Sequence, residues 1–184
     1  MGKNNNSMTL QTGDILLFRQ ESIPGRIAAF FTQSDYSHAA LVSVEGDTVY
    51  CLEVREFLGG RKIDLETYLQ EEPAVFEVWR MNNLPSHHFQ TNVVKTMEKF
   101  VGVEYGWKHV IKAVMVRSAL TFFGGRFARR VWRYLDESEK TPPFCSEAVS
   151  IAYRSAAIDL CPKIPDHFTF PGDLARSPFL ELVG

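Results

Sequence analysis

The sequence predicts a single domain of the α+β class. Strand-patterned segments are gathered in the first 80 residues, whereas helical spacing dominates from residue 89 onward. Gly46-Asp47, set between two apolar runs, signals a hairpin and therefore an antiparallel pair. The 184 residues are 45% hydrophobic and 23% charged, enough to bury one core. No linker-like stretch or internal repeat interrupts residues 1–184, so one domain is expected throughout.

In chain order, residues 1–10 are polar and read as a disordered lead-in. Gly13-Asp14 forms a turn that feeds the buried strand Ile15 to Phe18. Residues 24–31 start like a short helix after Pro24-Gly25. Ser37 to Val44 and Thr48 to Arg55 are the two arms of the hairpin. Thr67, Tyr68 and Leu69 lie in a short helix capped by Asp64, and 74–80 is a further strand rich in Val, Phe and Trp. Phe89, Val93, Val94, Met97 and Val101 recur at helical spacing, with Gly102 as the stop. Residues 107–134 read as two helical pieces broken at Gly124-Gly125. The last helix starts near Pro143 and buries a stripe of Cys145, Ala148, Val149, Ala152 and Ala156. Phe170 to Leu174 is a turn-rich return segment.

Chemistry concentrates on two segments about a hundred residues apart. Cys145 sits where the chain enters its last helix, and a helix N-terminus stabilises a thiolate. His38 opens an apolar strand. If Gly46-Asp47 is a two-residue turn, paired residue numbers in the hairpin sum to 93, and Glu53 becomes the diagonal neighbour of His38 on one face. A register slip of one residue would send Glu53 to the other face. A carboxylate on one ring nitrogen fixes the tautomer and aims the other nitrogen at a thiol. Cys145 is thus the candidate nucleophile, His38 the base and then the acid, and Glu53 the orienting group. The Cys145 N–H and the Tyr36 hydroxyl are candidates for stabilising an oxyanion. Each residue alone also fits a plain structural role: a core cysteine, a strand-end histidine, a surface carboxylate. Their combination is what points to chemistry.

Other features narrow the field. The net charge of −2 gives no reason to expect nucleic acid. Residues 104–134 nevertheless carry seven Lys and Arg against Glu104 alone, with Val110, Val114, Phe122, Phe123, Phe127 and Trp132 among them; a helical pair with solvated arginines and a peripheral membrane contact are both compatible with that pattern. Three cysteines without paired spacing suggest neither a disulfide framework nor a zinc site, and Cys51 and Cys161 read as structural. His87-His88, His109 and His167 have no ligand-spaced partners, so neither metal nor cofactor is expected. A polar N-terminus without a signal-peptide core, and no run of 18 apolar residues, lead to the expectation of a cytoplasmic location.

Several pieces, in order along most of the chain, match a known pattern: Gly13-Asp14-Ile15-Leu16-Leu17-Phe18, Ser34-Asp35-Tyr36-Ser37-His38, the strand carrying Glu53, Gly102-Val103-Glu104-Tyr105, Phe144-Cys145-Ser146-Glu147, and Phe170 to Pro178. On these the chain resembles the permuted NlpC/P60-type, papain-like cysteine hydrolases, specifically their YaeF/YiiX-like branch. The resemblance implies a circularly permuted papain-like fold, its antiparallel sheet packed against the helix carrying Cys145. It also implies a Cys–His–Glu triad, which falls on Cys145, His38 and Glu53. The implied activity is a cysteine-dependent amidase or peptidase acting on a cell-wall-type peptide or similar amide. The alternative is a membrane-surface lipid acyltransferase or hydrolase using the same triad, with a binding module that has lost turnover as a third reading. The lipid branch typically carries Asn-Cys-Glu-His-Phe around its nucleophile; Phe144-Cys145-Ser146-Glu147-Ala148 fits the amidase branch better. The acyl acceptor and the oligomeric state are not specified by these motifs.

Overall fold

A computed structural model of the chain describes residues 9–19, 34–71, 73–82, 87–123 and 142–184. Six strands form one antiparallel sheet: β1 (Ile15–Arg19), β2 (His38–Glu45), β3 (Thr48–Arg55), β4 (Gly59–Asp64), β5 (Val75–Met81) and β6 (Leu180–Leu182), in spatial order β4-β3-β2-β1-β5-β6. Among the described residues the helices are α1 (Leu65–Glu71), α2 (His87–Glu98), α3 (Trp107–Phe123), α4 (Cys145–Ser155) and the single turn α5 (Pro171–Leu174), with a 3-10 turn at Asp166–Phe168. The expected α+β class and the antiparallel sheet packed against the Cys145 helix are both present.

Period-two alternation assigns the sheet's two faces. Ile15, Leu17, Ala39, Leu41, Leu52 and Val54 face one way, onto Phe89, Val93, Val94 and Met97 of α2 and Ala148, Val149, Ala152 and Tyr153 of α4. Leu16, Phe18, Ala40, Val42 and Cys51 face the other way, onto Leu65 and Tyr68 of α1. Strand β1 is covered on both faces, which accounts for its unbroken apolar run. A third cluster joins Ala113 and Val116 of α3 to Phe144, Cys145, Phe168 and Phe170.

The hairpin has the anticipated register, with Glu45 opposite Thr48 and Leu41 opposite Leu52. Gly46 supplies the positive φ of 60° that the turn requires. Asp64 caps α1 by accepting from the Glu66 N–H at 2.7 Å and the Thr67 N–H at 3.3 Å.

Elsewhere the structure departs from expectation. Helix α2 stops at Glu98, so Val101 lies beyond it in a turn and is exposed. Helix α4 begins at Cys145; Phe144 is its N-cap in extended conformation, and Pro143 precedes the helix. The return segment contains the helical turn α5, with Pro171 at its first position, where a missing N–H is harmless. Strands β4 and β6 were not anticipated. Gly60 of β4 is needed for a close approach: it accepts from the Gly102 N–H at 2.8 Å and donates to the Val103 carbonyl at 2.7 Å, and a Cβ there would run into the Phe100 carbonyl. The helix expected at 24–31, most of the lead-in, and the second helical piece after Gly124 lie outside the described residues.

Candidate active site

The site is built at the starts of two elements. His38 is the first residue of β2, and Cys145 is the first residue of α4. Glu53 lies near the end of β3, and all three side chains are buried. The His38 Nε2–H donates to the Glu53 Oε2 at 2.5 Å, and the ring packs against Phe18 with centroids 5.5 Å apart. The second oxygen of Glu53 accepts from the Arg61 Nε at 2.6 Å; Arg61 is the residue opposite Glu53 in β4. Both carboxylate oxygens are therefore committed, and the register anticipated from the hairpin is what brings His38 and Glu53 together.

The electrostatics follow from this geometry. Burial pulls the His38 ring toward its neutral form, but the Glu53 charge and the Cys145 thiol outweigh it, and the pKa lies above the ordinary imidazole value. Burial alone would raise Glu53; the charge and hydrogen bond of His38, with help from Arg61, hold its carboxyl below the usual range. Cys145 bears on the His38 ring through both hydrogen bonding and charge. The ring's Nδ1 is buried and makes no aligned hydrogen bond among the described residues. It is the one ring nitrogen not already held by Glu53. Cys51 and Cys161 differ in kind: burial pushes the Cys51 thiol well up and the Cys161 thiol up to about 12, which makes both poor nucleophiles.

Phenylalanine has no acceptor for the first-turn N–H groups of α4, so side-chain capping runs backward only: the Phe144 N–H donates to Glu147 Oε2 at 3.2 Å. Glu147 is buried and also accepts from the His109 Nδ1–H, at 2.8 Å and 2.9 Å to its two oxygens. This pair ties α3 to the leader of Cys145. It was missed in the sequence because the two residues are 38 positions apart with no shared periodicity. A second tie is backbone: the Gly106 N–H donates to the Pro143 carbonyl at 3.1 Å, and a Cβ at Gly106 would strike the Pro142 carbonyl.

Of the two tyrosines near the motifs, Tyr36 is engaged elsewhere. Its hydroxyl donates to Glu77, and its ring meets Trp79 edge-on at 6.3 Å. Tyr105 packs against the cluster that contains Cys145. Burial, then the charges of Cys145, Glu56 and Glu147, raise its phenol and keep it protonated. In the sequence Tyr105 stands out only as part of the motif Gly102-Val103-Glu104-Tyr105. Among the described residues no group of three or more His, Cys, Asp or Glu side chains is arranged to hold a metal ion.

A cysteine at a helix start, beside a sheet whose second strand opens on a histidine, is the arrangement of a papain-like fold in which the histidine-bearing strand precedes the cysteine-bearing helix in the chain. The chain belongs to the family described as permuted papain-like amidase enzymes, YaeF/YiiX, C92, whose model matches residues 9–116. That span includes His38 and Glu53 and ends before Cys145. A solved structure described as the metalloprotein YiiX from Escherichia coli O157:H7 is similar over 95% of this chain and 96% of its own, with a TM-score of 0.64 and 18% identity. At that identity the likeness speaks for the fold. No curated protein matches the sequence. Family membership puts the chain among the cysteine-type amidases or peptidases.

Proposed function

We propose that the chain hydrolyses an amide bond, of a cell-wall-type peptide or a similar acyl donor, through an acyl-thioester on Cys145. The Cys145 sulfur, as thiolate, attacks the carbonyl carbon; the C–N bond breaks as the protonated His38 gives its proton to the departing amine. Water then adds to the thioester, His38 takes its proton, and the acid leaves as the thiolate is restored. Glu53 holds the ring through Nε2, which leaves Nδ1 for the thiol. The oxyanion is assigned to the Cys145 N–H together with Tyr105, whose hydroxyl has no hydrogen-bond partner among the described residues, in preference to Tyr36.

The observation that carries this reading is the buried His38–Glu53 pair, 2.5 Å apart, with Cys145 acting on the same ring. Iodoacetamide is expected to modify Cys145 in the folded wild type ahead of Cys51 and Cys161, and Cys145→Ala to lose that adduct. Equal reactivity of the three thiols, read by peptide mass, would exclude Cys145 as nucleophile.

A second reading, lipid acyl transfer or hydrolysis at a membrane surface, draws on α3, where Ile111, Met115, Phe122 and Phe123 are exposed on a helix that also carries Lys108, Lys112 and Arg117. Among the described residues no helix is long and apolar enough to cross a membrane. Co-sedimentation with anionic vesicles is the measurement: binding that falls as salt rises supports this reading, and protein left in the supernatant at low salt removes it.

A further inference from the structure

A groove lies beside the β3–β4 turn, bounded by Phe57, Leu58, Glu104, Tyr105 and Trp107, with a volume of about 330 Å³. Its floor is fixed to the candidate nucleophile: Tyr105 packs on the Cys145 cluster, and the neighbouring Gly106 is hydrogen-bonded to Pro143, two residues before Cys145. Three aromatic rings line it in sequence, Phe57 to Trp107 at 5.3 Å and Trp107 to Tyr105 at 4.9 Å between centroids.

The ring at the mouth is costly on two counts. Phe57 is 86% exposed and holds a φ of 65°, a backbone conformation that an L-residue with a bulky side chain rarely adopts. Strain of this kind concentrates at ligand clamps. Carboxylates also stand beside the rings. Glu104 lines the groove, and Glu56, whose charge bears on Tyr105, sits beside it; neither carboxylate has a hydrogen bond or ion pair among the described residues. An apolar side chain would use the rings but not the two carboxylates. A cation over aromatic faces satisfies both.

We propose that this groove is a substrate subsite for an alkylammonium group, bound over Phe57, Tyr105 and Trp107 and neutralised by Glu104 and Glu56. The proposal deepens the amidase reading and rests on Cys145 being the nucleophile. It makes the preferred acyl donor or leaving amine one that carries a fixed positive charge.

Two affinity labels test it: an iodoacetamide bearing a 2-(trimethylammonio)ethyl group, and its uncharged isostere bearing 3,3-dimethylbutyl. In each, the Cys145 sulfur displaces iodide, and rates are normalised to glutathione. In the wild type the cationic label is expected to modify Cys145 about tenfold faster than the isostere. Trp107→Leu and Glu104→Gln each bring that ratio toward one, while plain iodoacetamide modifies Cys145 at the wild-type rate in both. Equal rates for the two labels, or a faster uncharged one, overturn the subsite and indicate an apolar group instead. Failure of plain iodoacetamide to select Cys145 counts against the nucleophile alone. In that event tetramethylammonium is titrated into Cys145→Ala against sodium chloride of equal ionic strength, reading the Trp107 indole resonance assigned with Trp107→Phe. A specific shift upholds the subsite, and its absence overturns it.

Discussion

Glu53 is the residue on which the site turns, because it holds His38 with one oxygen and Arg61 with the other from a buried position. Glu53→Gln removes the charge while keeping the shape. It is expected to lower stability by about 3 kcal/mol, since a buried cation loses its partner, and to slow acylation of Cys145 by p-nitrophenyl acetate about a hundredfold or more. A wild-type acylation rate would mean that another group orients His38. The same pair sets a pH dependence. The folded His38 titrates above the unfolded value of 6.5, so its stabilisation is complete below that value and is lost as pH rises toward the folded value. Thermal midpoints of the wild type should therefore fall from pH 6.5 upward, and in Glu53→Gln that fall should vanish. Glu53, being depressed, contributes above the ordinary carboxyl value and loses that contribution only as pH drops through its lowered one. This pair was legible in the sequence because a two-residue turn fixes every partner by arithmetic. Tyr105 and the His109–Glu147 pair obey no local rule; they meet only because α3 and the Cys145 leader pack together.

Among the elements, α4 has an unconventional start that α5 shares: a phenylalanine cap whose N–H is met by a carboxylate three residues on, Glu147 in α4 and Asp173 in α5. Glu147→Ala is expected to free the Phe144 peptide and slow acylation by p-nitrophenyl acetate about tenfold, with little change in iodoacetamide alkylation, which needs no oxyanion donor. Glu147→Gln keeps an acceptor for Phe144 and should restore most of the rate. Equal slowing of both reagents would place the effect on the thiol instead. Strand β4 shows why some elements escape a sequence reading. Gly59-Gly60 followed by charged residues lacks the β-branched signature, and the strand exists because β3 on one side and the 100–103 turn on the other complete its hydrogen bonds. Gly60→Ala, which sets a methyl group against the Phe100 carbonyl, should cost about 2–4 kcal/mol in urea denaturation; a neutral result would mean that the turn moves aside freely.

At the scale of the whole molecule, the three thiols report on three regions of one core. Cys51 lies on the α1 side of the sheet, Cys161 on the helical side, and Cys145 in the cluster that joins α3 to α4. Titration with an aromatic disulfide should show one thiol reacting in the native protein and two more only on global unfolding, in a single step if the 184 residues form one cooperative unit. Separate release of Cys51 and Cys161 along a denaturant series would divide that unit. The fold class was legible because four strand signals and the helix pattern fall in separate stretches of the chain. The hydrogen bond from Gly106 to Pro143 has one more consequence. It brings the two ends of the stretch from 107 to 141 together at one seam beside Cys145. Once a loop's ends are fastened, doubling its length costs only about 0.6 kcal/mol in closure entropy. The match to the family model stops at 116, inside this stretch. Because Ala113 and Val116 of α3 pack on the Cys145 cluster, a change in that first part of the stretch is transmitted directly to the thiol.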